Sequence, residues 1–155
     1  MNLVAQILPA SNVMIDMEVS SKKRVFEQVG LLFENNNSIA RAQVFDSLFA
    51  REKLGSTALG QGVAIPHGRV KGLKNAVGAL VRMKAPIPFD APDGQGVSLI
   101  FLLMVPDRAT DQHLQILAEL AEMFSDKPFR ELLMTAEAAI DIHALIANWS
   151  SHAPN

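Results

Sequence analysis

His67 differs from the other residues that could do chemistry because of its neighbours in the chain. Pro66 before it has a fixed φ and no amide hydrogen, and Gly68 after it has no side chain. The short apolar run 63–65 is typical of a buried strand, so the imidazole would lie at a strand end. An imidazole has a pKa near neutrality, so one ring nitrogen is free to act as a nucleophile. An exposed histidine in a simple turn is the other interpretation, and the spacing alone favours it.

No cofactor or metal motif accompanies this histidine. Four glycines lie close to it in the chain: Gly55, Gly60, Gly62 and Gly68. They do not precede the Gly-Lys-Ser/Thr of a P-loop, so ATP binding is not indicated. Ser56 lacks the flanking glycines of a hydrolase nucleophile elbow. The four histidines form no His-Glu-x-x-His or His-x-His pair, and there is no cysteine, so we expect neither zinc nor another cofactor.

A longer pattern surrounds these residues and resembles that of a known family. It consists of two runs, REKLGST at 51–57 and GQGVAIPHG at 60–68. Together they resemble the signature of the enzyme IIA domains of the fructose/mannitol class, which belong to the phosphoenolpyruvate-dependent phosphotransferase system. Two further runs, PIPFDAPDGQ at 86–95 and LIFLLMVP at 99–106, fit the nitrogen-regulatory branch, which the whole pattern resembles most.

The resemblance assigns roles to three side chains. It implies that His67 accepts a phosphoryl group from a phosphohistidine on a small histidine phosphocarrier protein. It also implies that Arg51 and His113 lie beside His67 and stabilise the phosphate oxygens. Backbone amides near Ser56 and Thr57 would be further donors. The sequence alone offers simpler alternatives. Arg51 falls in the last turn of a helix, where the dipole favours a cation, and His113 falls in a first turn, where it would face solvent.

Two functions fit this resemblance. The regulatory branch implies a protein whose phosphorylation state decides which partner it binds, and the family suggests potassium-transport systems and sensor kinases as targets. The alternative is a sugar-specific (fructose/mannitol) enzyme IIA that passes the phosphoryl group to a IIB component during sugar uptake. No IIB or membrane IIC segment is fused in this chain. Because the regulatory branch is the better match, the nitrogen-regulatory role is the prediction.

Charge and hydropathy make nucleic acid and membranes unexpected partners. The formal net charge is -2, and the only basic run, Lys22-Lys23-Arg24, is predicted to lie on a solvated helix face. The longest apolar run, 99–105, has seven residues, whereas a membrane helix needs about 20. No targeting signal is visible, and the absence of cysteine fits the cytoplasm, which is the predicted location.

The hydrophobic pattern predicts a single α/β domain in which helices and strands alternate. The composition, with 49% hydrophobic and 19% charged residues, is that of an ordinary globular chain. Strands are predicted at 13–17, 63–65, 76–83 and 98–105, and a turn-rich loop at 86–96. Helices are predicted at 3–8, from Ser20 or Ser21 to 37, at 39–52, from a cap at Thr110 to Phe124, at 128–134 and at 138–149.

The pattern gives only this class, and the resemblance adds the arrangement. It implies one enzyme IIA type-2 domain over residues 1–155, built on a mixed β-sheet covered by helices on both faces. The resemblance ends near Trp149, so 150–155 is predicted to be a flexible tail. His143 on the last helix and His152 in the tail are predicted to face solvent.

Overall fold

A six-stranded mixed sheet forms the centre of the fold. The structure is a computed structural model that describes residues 2–108 and 111–151. The strands are β1 (Val13–Met17), β2 (Ala58–Gly60), β3 (Val63–Ala64), β4 (His67–Val70), β5 (Val77–Ile87) and β6 (Val97–Pro106). Their order is β1-β5-β6-β3-β2, and β4 also pairs with β6. β5 is antiparallel to β6 and β2 to β3, whereas β1 is parallel to β5, and β3 and β4 are parallel to β6.

Helices cover both faces of this sheet. Those in the described residues are α1 (Leu3–Ile7), α2 (Lys22–Asn37), α3 (Arg41–Glu52), α4 (Asp111–Ser125), α5 (Lys127–Thr135) and α6 (Ala139–Asn148). α2 and α3 pack on one face, and the other four helices pack on the other. The α/β class and the mixed sheet covered on both sides are therefore confirmed.

β6 supplies core residues to both faces because its side chains alternate. Ile100, Leu102 and Met104 are buried beneath α2 and α3. Phe101 and Leu103 are buried on the opposite face, beneath the other four helices. A strand covered on both faces needs such a continuous apolar run, which is why this strand was predictable from its sequence.

Side-chain caps begin α1, α2 and α5, whereas α3 and α6 start without one. The Ser21 side chain accepts a hydrogen bond from the Arg24 amide at 3.2 Å, so α2 begins at the next residue, as predicted for one of the two serines. α3 begins at Arg41, two residues later than predicted, because Ser38 adopts a left-handed conformation with φ of 58° between the helices. The predicted cap at Thr110 lies outside the described residues, as do His152 and residues 153–155.

The strand predicted at 63–65 does not end the pairing with β6, and the interpretation that places His67 in a simple turn is wrong. Pro66 has no amide hydrogen and interrupts the ladder. Its carbonyl still accepts from the Leu103 amide at 2.9 Å, so pairing with β6 resumes at once, with His67 opposite Leu103. His67 therefore begins β4. The 3₁₀ turn Ala10–Asn12 and the short strand β2 were also not predicted, and β5 extends to Ile87, inside the predicted loop.

Two side chains predicted to be in solvent make internal contacts instead. The Lys22 ammonium lies 3.4 Å from the Glu52 carboxylate and 4.6 Å from the Phe89 ring centroid, and its side chain is only 18% exposed. His143 is half-buried, with Nε2 2.9 Å from the Leu8 carbonyl, so it ties α6 to the end of α1. In the part of the chain that the structure describes, no helix is both long and apolar enough to span a membrane.

Candidate functional site

β4 places the His67 side chain at the edge of the β6 ladder. The residue is half-buried, and the next residue, Gly68, lies directly under α3. A Cβ on Gly68 would lie 2.1 Å from the Ser47 hydroxyl oxygen, so only glycine lets α3 approach this closely. The same hydroxyl donates to the Arg69 carbonyl at 2.7 Å and adds one hydrogen bond to this contact. Arg51 lies one turn beyond Ser47 on the same helix face and is thereby brought to the site.

A backbone neighbour selects the tautomer of the His67 ring. Nδ1 lies 2.9 Å from the Ile65 carbonyl oxygen. Because a carbonyl can only accept, Nδ1 must carry the hydrogen and donate it. Nε2 then keeps its lone pair in the neutral ring. The arrangement leaves Nε2 as the ring nitrogen that is available to a partner.

The three predicted site residues line one cleft. Arg51, His67 and His113 share a cavity of about 750 Å³ between α3, β4 and the start of α4. Leu54 and Leu114 also line it and are 84% and 66% exposed. The cleft thus combines a nucleophilic imidazole, a cation and a second imidazole with apolar side chains that face outward.

Arg51 satisfies both interpretations that the sequence left open. It lies in the last turn of α3, where the helix dipole favours a cation, and it also lines the cleft. Its Nη1 donates to the Gly55 carbonyl at 2.9 Å. One N–H of the guanidinium is thus bound to a backbone carbonyl, and the guanidinium has further N–H groups for another acceptor.

His113 does not face solvent as its simpler interpretation required. It is 9% exposed, in the first turn of α4. Its Nδ1 is buried and has no hydrogen-bond partner among the described residues. A buried polar atom without a partner costs about 1–3 kcal/mol and calls for an explanation. This cost, together with its place in the cleft, marks His113 as a functional candidate.

The glycine-rich segment before β3 is a tight turn that a residue from another segment holds in place. Gly60 and Gly62 have positive φ, and Gln61 between them has φ of 60°. The Gln61 amide donates to the Asp93 carboxylate at 2.9 Å. This bond and a second one from the Gln95 amide hold the pKa of Asp93 below its usual value. The glycines therefore serve the turn that leads into β3 rather than a phosphate-binding loop.

Glu52 is the residue that the sequence analysis missed. Its carboxylate accepts from the Thr57 amide at 2.9 and 3.1 Å and from the Thr57 hydroxyl at 2.6 Å. The Thr57 amide, one of the further donors that the resemblance implied, is therefore already engaged, and the part of that prediction that concerns Ser56 stays a prediction. One signal was available in the sequence: an acidic residue in the last turn of a helix opposes the dipole and so needs a specific partner. Within the described residues, no group of three or more histidines and carboxylates could hold a metal ion.

Comparisons with known proteins identify relatives over nearly the whole chain. The family model described as phosphoenolpyruvate-dependent sugar phosphotransferase system, EIIA 2, matches residues 6–149. A nitrogen regulatory protein of Pseudomonas aeruginosa is 39% identical over 144 residues, which are 92% of this chain and 94% of that protein.

Solved structures agree with the sequence comparison. The crystal structure of nitrogen regulatory protein IIA-Ntr from Neisseria meningitidis is similar with a TM-score of 0.88 and 56% identity, covering 94% of this chain and 99% of that one. The crystal structure of IIA mannitol from Escherichia coli has a TM-score of 0.74 at 19% identity, over 89% of this chain and 97% of that one. The second likeness shows a shared fold alone.

Proposed function

Because the chain belongs to the EIIA 2 family of the phosphoenolpyruvate-dependent sugar phosphotransferase system, we propose that it accepts a phosphoryl group on His67. The donor is a phosphorylated histidine phosphocarrier protein, and the phosphorylation state then decides which regulatory proteins it binds. The observation that carries the proposal is the His67 ring itself: Nδ1 is held by the Ile65 carbonyl, which leaves Nε2 as the nucleophile in a cleft shared with Arg51 and His113.

The transfer needs no cofactor and no change of oxidation state. The Nε2 lone pair of His67 attacks the phosphorus of the donor phosphohistidine. A new P–N bond forms while the P–N bond of the donor breaks, and the donor imidazole takes back its lone pair. The Nδ1 proton stays on His67 and is donated in a hydrogen bond to the Ile65 carbonyl, which stabilises the positive charge that develops on the ring.

Arg51 and His113 stabilise the transferring group in this scheme. Phosphoryl transfer depends mainly on positioning and on spreading charge from the three equatorial oxygens. The guanidinium fork of Arg51 suits two of those oxygens, and the His113 imidazole supplies a donor from the opposite wall of the cleft. Both side chains are partly or fully withdrawn from water, which strengthens their effect on charge.

Phosphorylation would change the charge of the surface around the cleft. It adds roughly -1.5 to -2 charges at neutral pH to a protein whose formal net charge is -2. A partner that packs on Leu54 and Leu114 at the rim meets this charge directly, so we expect regulatory targets to discriminate between the two forms. Potassium-transport systems and sensor kinases are the candidate classes. A cytoplasmic location belongs to the same proposal.

The regulatory role is supported over the sugar-specific alternative by sequence. The nitrogen regulatory relatives are similar in both sequence and fold, whereas the mannitol enzyme shares only the fold. A sugar-specific enzyme IIA would pass its phosphoryl group to a IIB component, and the cleft chemistry alone would serve either role.

The proposal is tested by phosphorylating the protein with the phosphorylated phosphocarrier. We expect one acid-labile, base-stable phosphoryl group per chain on the wild type and none on His67→Ala. A candidate target should bind the unphosphorylated wild type and His67→Ala but not the phosphorylated protein. Full stoichiometry in His67→Ala, or phosphate on a serine, would contradict phosphoryl acceptance. Equal binding of all three forms by every partner would contradict the regulatory role.

A further inference from the structure

The Glu52 carboxylate is buried where an anion is unfavourable. Its side chain is 5% exposed, and it lies in the last turn of α3, at the negative end of the helix dipole. A buried charge is costly unless it is paired and hydrogen-bonded. The surrounding residues must therefore supply strong partners for this side chain. A neutral residue at this position would avoid the cost of burying a charge.

Two residues supply those partners. The Thr57 amide and hydroxyl donate to both carboxylate oxygens, at 2.6 to 3.3 Å. The Lys22 ammonium, from α2, lies 3.4 Å from Oε2. The carboxylate thus joins the end of α3 to the start of the segment that leads into β2, and it closes the turn 52–57.

The closed turn carries the group that holds Arg51. Gly55 lies in the middle of the turn with φ of 149°, and its amide donates to the Glu52 carbonyl at 3.1 Å. The Gly55 carbonyl accepts from Arg51 Nη1 at 2.9 Å. Glu52 fixes the turn, and the turn fixes that carbonyl. The Glu52 carboxylate therefore determines how the Arg51 guanidinium lies in the cleft.

We propose that Glu52 is a positioning residue for phosphoryl transfer: its carboxylate closes the 52–57 turn and thereby orients the Arg51 guanidinium towards the phosphoryl group on His67. This inference rests on the proposed function of the cleft. It assigns a purpose to a costly buried charge that an ordinary helix end does not need. Misplacing a reacting or stabilising group by about 1 Å can cost around 10²-fold in rate. A residue that holds Arg51 in position therefore affects the rate of phosphoryl transfer.

A double-mutant cycle distinguishes this role from a purely structural one. Single-turnover transfer from the phosphorylated phosphocarrier is measured for wild type, Glu52→Gln, Arg51→Ala and the double variant, at saturating and lower donor concentrations. Glutamine keeps the size of the side chain but loses its charge, and it turns one acceptor into a donor that faces Thr57 or Lys22. We expect Glu52→Gln to lower the saturated rate by roughly 10- to 100-fold and to leave the half-saturating donor concentration unchanged.

The expected signature is a lack of additivity. Arg51→Ala should lower the saturated rate by about 10²–10³, and the double variant should be as slow as Arg51→Ala alone, because Glu52 acts only through Arg51. A wild-type rate in Glu52→Gln would overturn the inference. A double variant slowed by the product of the two single effects would overturn it too. If the wild type itself accepts no phosphoryl group, the proposed function fails, and the inference fails with it.

Glu34→Gln is the matched control for loss of stability. The Glu34 carboxylate also ties two helix ends together, accepting from the Arg41 amide and from Arg41 Nε, both at 2.9 Å. It does not line the cleft. We expect Glu34→Gln to lower the melting temperature and to leave the transfer rate unchanged. An equal slowing in this control would overturn the inference, because general destabilisation would then explain the result.

Thr57→Val decides the question if Glu52→Gln does not fold. Valine matches the shape of threonine and keeps the backbone amide, so only the hydroxyl contacts with the two carboxylate oxygens, at 2.6 and 3.3 Å, are lost. We expect a slowing of about tenfold in the wild-type background and none in the Arg51→Ala background. Equal slowing in both backgrounds, or none in either, would overturn the inference.

Discussion

The three side chains of the cleft are held to different degrees, and this determines what each can contribute. His67 is oriented through Nδ1 by the Ile65 carbonyl, which leaves Nε2 to form a bond. Arg51 is oriented through Nη1 by the Gly55 carbonyl and keeps further donors. His113 is buried with Nδ1 unpartnered among the described residues. In the proposed transfer, His67 therefore forms the covalent bond, and Arg51 and His113 stabilise charge.

We expect Arg51→Ala and His113→Ala to slow phosphoryl acceptance without abolishing it. Losing one positioned donor to a developing charge commonly costs about 10²–10³ in rate. Arg51→Ala should also lower the free energy of unfolding by ~0.3–1 kcal/mol, because a cation is lost at the end of α3. The measurement is the rate of transfer from the phosphocarrier, with thermal melting alongside. Wild-type rates in both variants would show that Arg51 and His113 have only structural roles.

The residues of the site were predictable to the extent that a local motif contains them. The runs around Arg51 and His67 carried the resemblance, and His113 followed from the same family pattern. Glu52 stands within the first run, yet its partners Thr57 and Lys22 are set by the turn and by a neighbouring helix. Hydrogen bonds across elements leave no periodic signal in a sequence, so the need of Glu52 for a partner was predictable but the identity of its partners was not.

At the scale of elements, the contact between α3 and β4 builds the cleft. Because Gly68 has no side chain, Ser47 of α3 reaches the Arg69 carbonyl, and Arg51 follows on the next turn. Long elements such as β6 were predictable from their apolar runs. β2 and β4 have three and four residues, which is too short for periodicity to show. Pro66 also gave a stop signal that the pairing of its carbonyl with β6 overrides.

Gly68→Ala should disturb this contact directly. The new Cβ would lie 2.1 Å from the Ser47 hydroxyl oxygen and 3.0 Å from its backbone carbonyl carbon, so α3 must shift. We expect the free energy of unfolding to fall by about 1–3 kcal/mol and the transfer to slow, because Arg51 moves with the helix. Denaturant unfolding and transfer rates measure both effects.

Ser47→Ala is the control for Gly68→Ala. It removes the 2.7 Å hydrogen bond to Arg69 without any overlap, so it should cost only about 1 kcal/mol and leave the transfer rate close to wild type. Wild-type stability and rate in Gly68→Ala would show that the close approach of α3 does not matter.

The rim of the cleft should act in donor docking rather than in the chemical step. Leu114, on α4, is 66% exposed beside the cleft. Burying such a side chain under a partner contributes about 1 kcal/mol, so Leu114→Ala should raise the half-saturating concentration of the phosphocarrier roughly fivefold. The saturated rate should not change. Leu132→Ala is the matched control, because Leu132 is 52% exposed on α5 and does not line the cleft. Equal effects in the two variants would contradict a docking role for the rim.

At the scale of the whole molecule, the mixed sheet brings together residues that are far apart in the chain. Arg51 ends a helix on one face, His67 begins a strand beside β6, and His113 lies at the start of a helix on the other face. Alternating helices and strands predicted the α/β class. The parallel pairing of β4 with β6, which places His67 between the two helices, depends on contacts between distant segments and could not be derived from periodicity.

The most direct test is to find which nitrogen carries the phosphoryl group. The protein is labelled with ¹⁵N-histidine, phosphorylated by the phosphocarrier, and studied by ¹⁵N and ³¹P NMR. The hydrogen bond from Nδ1 to the Ile65 carbonyl predicts phosphate on Nε2 of His67, with the Nδ1 proton retained. Phosphate on Nδ1 of His67, or on His113, would contradict the account.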